Sequence, residues 1–266
     1  MEHLLACMRI IGDDTIQKTQ LQHRLALVDA FQIKEGMRVL EIGCGQGDTT
    51  VALADAVGQS GHIVAIDLAS PHYGAPITLG EAAQTIKDSV LGSRIDFHFE
   101  TDFLDLQLEN TFDAAILSHC SWYFKNPLQL FRYFEKLKTI TNRICFAEWD
   151  IDYQQLSQRA HFCAVNIQAL YSAHFGGEGN IQNVFHKEQI KKMLTEAQFT
   201  ISDEATIDAT YLQDGDWEIA YANELFPELK NIAQPLQSLV TSYYYLMNSK
   251  NVVKHSLNSF IITASK

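Results

Sequence analysis

Val39-Leu40-Glu41-Ile42-Gly43-Cys44-Gly45-Gln46-Gly47-Asp48 is a short β-rich run that ends in three alternating glycines. The residues that follow, Asp48 to Gly58, read as a helix with an acid at its start and a glycine past its end. Glycine lets a strand-to-helix turn take positive φ and lets a ligand approach the backbone. The helix start adds unpaired N–H groups. Spacing narrows the ligand. A dinucleotide loop, G-x-G-x-x-G, needs its third glycine at position 48, where Asp48 stands and repels a pyrophosphate. A P-loop is excluded because no Gly-Lys-Ser/Thr follows. Glu41 and Asp48 suit a ligand with a cationic end.

The same alternation runs outward from the loop. Apolar residues from Asp14 to Phe31 recur at helical spacing, with Asp14 or Thr15 as cap. Further strands are predicted at His62–Asp67, Arg94–Phe99, Phe112–Ser118 and Arg143–Glu148. Helices are predicted between them at Gly80–Val90 and Pro127–Leu137. Strands separated by helices predict an α/β fold with a doubly wound, mostly parallel sheet. Past Trp149 the pattern changes. Long helices are expected over Tyr153–Phe175 and His186–Ala197, then a strand at Thr200–Ile207, mostly helix from 212 to 255, and a last strand at Ser259–Ala264. That late strand returns to the sheet and makes seven. The organisation expected is one domain over 1–266, with N-terminal helices in 1–34, a ligand-binding core over 35–148, and helical lid insertions at about 150–185 and 212–255.

Composition restricts the partners. In 266 residues, 47% are hydrophobic and 20% charged, enough for a core that needs no disulfide or metal staple. The formal net charge of -12 argues against a nucleic-acid surface. Five cysteines are scattered without metal-ligand spacing, which predicts reduced thiols in a cytoplasmic protein. The N-terminal segment is too briefly apolar for a secretory signal, and no run nears the ~18 apolar residues of a membrane span.

With the loop in view, VLEIGCGQG resembles the first signature of the class I S-adenosylmethionine-dependent methyltransferases, and the likeness extends over roughly Phe31 to Phe146. The resemblance implies a Rossmann-like sheet, S-adenosylmethionine as cofactor and S-adenosylhomocysteine as product. It implies that Gly43, Cys44, Gly45 and Gly47 wrap the methionine part of the cofactor and that Glu41 helps seat it. Asp67, ending the second strand, is placed to accept both ribose hydroxyls, with a helix cap as the alternative. Asp102 and Phe103 are expected at the adenine, unless they form an ordinary capped turn. Leu68 is expected on the adenine too. The loop Leu68–Pro76 departs from the family pattern and is expected at the adenine edge or on the substrate side.

Methyl transfer asks the protein for alignment, water exclusion and sometimes a base. Ser118, at the end of the fourth strand, is expected at the cofactor's amino end. His119 is the candidate base, against the alternative of a structural histidine. Trp122 and Tyr123 fit an acceptor wall or the core. Glu148, Asp150 and Asp152 fit a cation grip or a solvated loop, and Ser118 where an acid would be needed speaks against a metal. His161, His174 and His186 lack zinc spacing. The aromatics Tyr171, Trp217, Tyr221, Phe226, Tyr243 and Tyr244 fit either a pocket or a homodimer interface. The reading is methyl transfer to an O, N or C atom of a small molecule. An NAD(P)-dependent oxidoreductase and a non-catalytic cofactor-binding protein are the alternatives.

Overall fold

The computed structural model describes residues 1–107, 111–177 and 179–266. Strand β1 (Arg38–Ile42) lies between β2 (His62–Ile66) and β4 (Ala114–Ser118), with β3 (Ile95–His98) beyond β2 and β5 (Arg143–Trp149) beyond β4. These five run parallel. The last strand, β7 (Ser259–Ser265), pairs antiparallel with both β5 and β6 (Thr200–Ile207), giving the order β3-β2-β1-β4-β5-β7-β6. The sheet is therefore the expected seven-stranded, mostly parallel one. Strand order reverses at β1, whose neighbours are β2 and β4, and the register puts Ile42 opposite both Ile66 and Leu117. A crevice beyond the carboxyl ends of those strands is where such sheets bind ligands.

Strand side chains alternate between faces, so adjacent residues enter different cores. Val39, Ile63, Ala114 and Ile116 pack under helices α1 (Glu2–Leu5), α2 (Thr15–Ala30) and α3 (Asp48–Ala56), joined by α4 (Leu79–Lys87) through Ala83 and Ile86. Leu40, Val64, Ala115 and Leu117 pack against α5 (Pro127–Ile140) and α7 (Lys187–Glu196). A third core joins α6 (Arg159–Phe175), α8 (Asp214–Leu225) and α9 (Gln234–Met247) through Cys163, Ala164, Ile167, Ile219, Ala222 and Val240.

Two boundaries differ most from the sequence reading. Helix α6 begins at Arg159 and not Tyr153. The buried Gln158 folds back so that its Oε1 accepts from the backbone N–H of Gln154 and Gln155, which holds a 3-10 turn over Leu156–Gln158. After α9 the chain from 252 to 258 is irregular. There side chains take over the backbone's partners: Leu257 N donates to His161 Nδ1 at 2.9 Å, and Gly215 N donates to Ser256 Oγ at 2.8 Å. No helix among the described residues is long and apolar enough to cross a membrane.

Candidate active site

The glycine loop joins β1 to α3. Its first two N–H groups, of Gly43 and Cys44, donate to the Ile66 carbonyl at 2.9 and 3.1 Å, which pins the loop to the end of β2. Gly43 has φ of 78°, and a Cβ there would lie 2.5 Å from Cys120 Cβ, so no side chain fits. At Gly45, with φ of 53°, a Cβ would meet nothing within 4 Å: this glycine faces open space. Gly47 caps α3. One carboxylate ties the two strand ends together, because Asp67 Oδ2 accepts from Gly45 N and Oδ1 from Ala69 N, both at 2.8 Å.

Beyond these strand ends is a cavity of about 1210 Å³. Gly43, Gly45, Asp67, Leu68, Phe103 and His119, all expected from the sequence, line it together. Leu68 is 61% exposed in its mouth. The loop after β2 contributes Ala69, Ser70 and Tyr73 as well.

Five expected residues are not on the wall. Gly47 is one of them, at the helix start behind the loop. Glu41 is buried under the loop, where Thr50 Oγ1 donates to it at 2.5 Å and burial pushes its carboxyl up to about 8. Cys44 is buried, and burial drives its thiol well above the ordinary range. Ser118 has a buried hydroxyl without a hydrogen-bond partner. Asp102 is engaged locally: Leu104 N donates to its Oδ1 at 2.8 Å and Tyr133 Oη at 2.7 Å, so it caps a turn while its neighbours Thr101 and Phe103 face the cavity.

His119 follows β4 with φ of 51°, a conformation that non-glycine residues seldom adopt. Its N–H donates to the Ala147 carbonyl at 2.9 Å, which sets the side chain between β4 and β5. Nδ1 lies 3.3 Å from Glu148 Oε1, Nε2 lies 3.1 Å from Ser259 Oγ, and the ring packs 4.4 Å from Trp149. His23 Nε2 reaches the same Ser259 hydroxyl at 3.0 Å. The Nδ1–Glu148 contact lacks good hydrogen-bond alignment, so it is a close approach rather than a formed bond. Burial holds His119 well below the imidazole range, which leaves the ring uncharged at neutral pH. Burial also pushes Glu148 up to about 7, although Ser121 N at 3.0 Å and Ser121 Oγ at 2.8 Å donate to it and pull the other way.

The acidic segment after β5 is thus no solvated loop. Glu148 and Asp150 are buried, and Lys187 pairs with Asp150 at 3.2 Å and Asp152 at 3.1 Å. Trp122 is core, whereas Tyr123, 54% exposed, lines the cavity. The aromatics of the helical layer divide. Phe226 stacks on Tyr244 at 3.7 Å and Tyr243 meets Phe162 inside the helical core, while Tyr171 and Tyr221 line a second chamber. That chamber, of about 520 Å³, shares Tyr73, Gly179 and Asn180 with the first. Sequence reading missed Ser259 and His23, which no motif marks, and Tyr73, which the inserted loop did signal.

Comparison with known proteins settles the family. Residues 16–204 match the family model described as a methyltransferase domain. The chain belongs to the methyltransferase-domain family. This methyltransferase domain is similar along its whole length to a cyclopropane-fatty-acyl-phospholipid synthase-like protein from Lactobacillus casei: 33% identity, a TM-score of 0.91, and coverage of 100% of this chain and 98% of that one. Methyltransferase phomM of Diaporthe leptostromiformis is 31% identical over 159 residues, 52% of this chain and 41% of that protein. The chain therefore spans about two fifths of the length of that curated relative. A coclaurine N-methyltransferase bound to N-methylheliamine and S-adenosylhomocysteine shares the fold, at 12% identity and a TM-score of 0.57 over 100% of this chain and 79% of that one.

The cofactor of this methyltransferase family is S-adenosylmethionine, and the residues present fit it. Gly45 leaves open space where a ligand approaches the loop, and Asp67 offers carboxylate lone pairs beyond its two backbone bonds. Among the described residues no group of three or more His, Cys, Asp or Glu side chains is placed to hold a metal ion.

Proposed function

We propose that the protein transfers the methyl group of S-adenosylmethionine to a small polar acceptor held between the cofactor cavity and the helical layer of α6, α8 and α9. The observation that carries this reading is the Asp67 carboxylate seated on Gly45 N at 2.8 Å. A pyrophosphate would need that N–H and would be repelled by the acid that holds it, whereas a ribose diol donates to such an acid. An oxidoreductase is disfavoured on the same ground.

When bound, the cofactor supplies an electrophilic methyl carbon for in-line displacement. Asp67 would hold the ribose, Leu68 and Phe103 the adenine, and the Gly43–Gly45 backbone the methionine end. His119 would take the proton of a hydroxyl acceptor at Nε2 by giving up its contact with Ser259, and Glu148 would stabilise the imidazolium that results. Such a built base supports turnover over a purely binding role. The helical layer would act as a lid that excludes water.

The name of the Lactobacillus casei protein raises a fatty-acyl carbon as another acceptor. Gln168, Ser172, Asn180 and the tyrosines of the second chamber support a polar one. A net charge of -12 supports a partner other than nucleic acid, and five buried free thiols support the cytoplasm. Trp217 and Tyr245, exposed on α8 and α9, support a contact between two copies.

The test is calorimetric. Asp67→Ala should weaken S-adenosylhomocysteine binding by about 1–3 kcal/mol through loss of the ribose contacts. Unchanged affinity in a folded variant removes Asp67 from the site and the reading with it.

A further inference from the structure

Carboxylates back the wall of the second chamber. Gln168, on α6 and only 2% exposed, is oriented by Glu218: its Nε2 donates to the Glu218 carbonyl at 3.1 Å and to Glu218 Oε2 at 2.5 Å. Two acceptors on one side fix which end of the amide is nitrogen. Oε1 is thereby left buried with no hydrogen-bond partner, although Gln168 lines the chamber. Tyr171 Oη, also on the wall, donates to Glu228 Oε2 at 2.6 Å, so toward the chamber its oxygen has only lone pairs to offer. Burial holds the Glu218 carboxyl above the ordinary carboxylate range.

Charge and shape agree with these bonds. Among the described residues lining the chamber there is no Lys, Arg or His, while Glu218 and Glu228 back its wall through Gln168 and Tyr171. Tyr73, Tyr171 and Tyr221 add three aromatic rings, whose faces attract cations. Tyr73 and Asn180 stand at the border with the cofactor cavity, joined by a 3.4 Å hydrogen bond.

We propose that this chamber binds the ammonium-bearing end of the acceptor molecule. An ammonium sits among the aromatic rings, donates to the Tyr171 oxygen, and is attracted by both carboxylates; a carboxylate or phosphate end finds no cation among the described lining residues. The assignment of that ligand as acceptor rests on the methyl-transfer reading, and the experiment keeps the two apart.

Calorimetry on the full chain provides the test. Binding of S-adenosylhomocysteine is measured first, then phenethylamine, phenethyl alcohol and hydrocinnamate are titrated into the saturated protein. The amine should bind on the order of tenfold more tightly than the alcohol, and hydrocinnamate more weakly than either. Glu218→Gln, checked for folding by its melting curve, should reduce the amine's advantage over the alcohol and leave S-adenosylhomocysteine affinity unchanged. Should that variant not fold, the wild-type ranking decides. Equal binding of amine and alcohol, a preference for hydrocinnamate, or no amine binding to protein that holds S-adenosylhomocysteine overturns the ammonium site alone. Failure to bind S-adenosylhomocysteine overturns the methyl-transfer reading, and with it the assignment of the ligand as acceptor.

Discussion

Glu148 Oε1 lies 3.3 Å from His119 Nδ1, both side chains are buried, and only His119 borders the cavity. A carboxylate behind an imidazole stabilises the imidazolium that forms when the ring takes a proton. For a hydroxyl acceptor, His119→Ala and Glu148→Gln should each lower turnover by about 10²–10⁴-fold. Neither should change S-adenosylhomocysteine affinity. Steady-state rates with an accepted substrate, set beside calorimetry, check this; normal turnover in His119→Ala restricts the histidine to packing.

Stability should peak near pH ~6.5, the ordinary histidine value. Glu148 and Glu41 are held up at about 7 and about 8 by burial, so their contribution is complete below the ordinary 4.5 and is lost as pH rises through those values. Burial acts oppositely on His23 and His161, held down at about 2 and about 3, and on His119. Their contribution is complete above the ordinary 6.5 and is lost as pH falls below it. Melting temperatures across this range should fall on both sides of the maximum. Glu41→Gln should flatten the alkaline limb, and an alkaline limb as steep as in the wild type would show that Glu41 ionises freely in the fold.

The loop glycines should separate stability from binding. Gly43→Ala puts a Cβ 2.5 Å from Cys120 and strains a positive φ, so it should cost more than the ~1–2 kcal/mol of backbone strain alone. Gly45→Ala has room, should cost only that strain, and should obstruct the ligand. Denaturant melts and S-adenosylhomocysteine titrations of the pair check the split; equal loss of stability in both would contradict the difference in their surroundings.

Much of this was legible in the chain. Strands buried on both faces leave continuous apolar runs, and residues just past their carboxyl ends, such as Asp67 and Leu68, border the crevice. Side-chain direction was less legible. Glu41 alternates onto the α3 side of the sheet, and Asp102 folds back onto Leu104 N, a local bond that an acidic residue in a turn readily makes. Contacts across long separations were invisible. Ser259 and His23 stand 236 residues apart and meet only because β7 inserts beside β5. Nothing local in a sequence records that order.

Calorimetric titration with S-adenosylhomocysteine, with NAD as control, tests the central claim most directly. Binding of S-adenosylhomocysteine at micromolar affinity or better, and none of NAD, is the predicted result. A well-folded protein that ignores S-adenosylhomocysteine, or that takes NAD instead, would contradict the account.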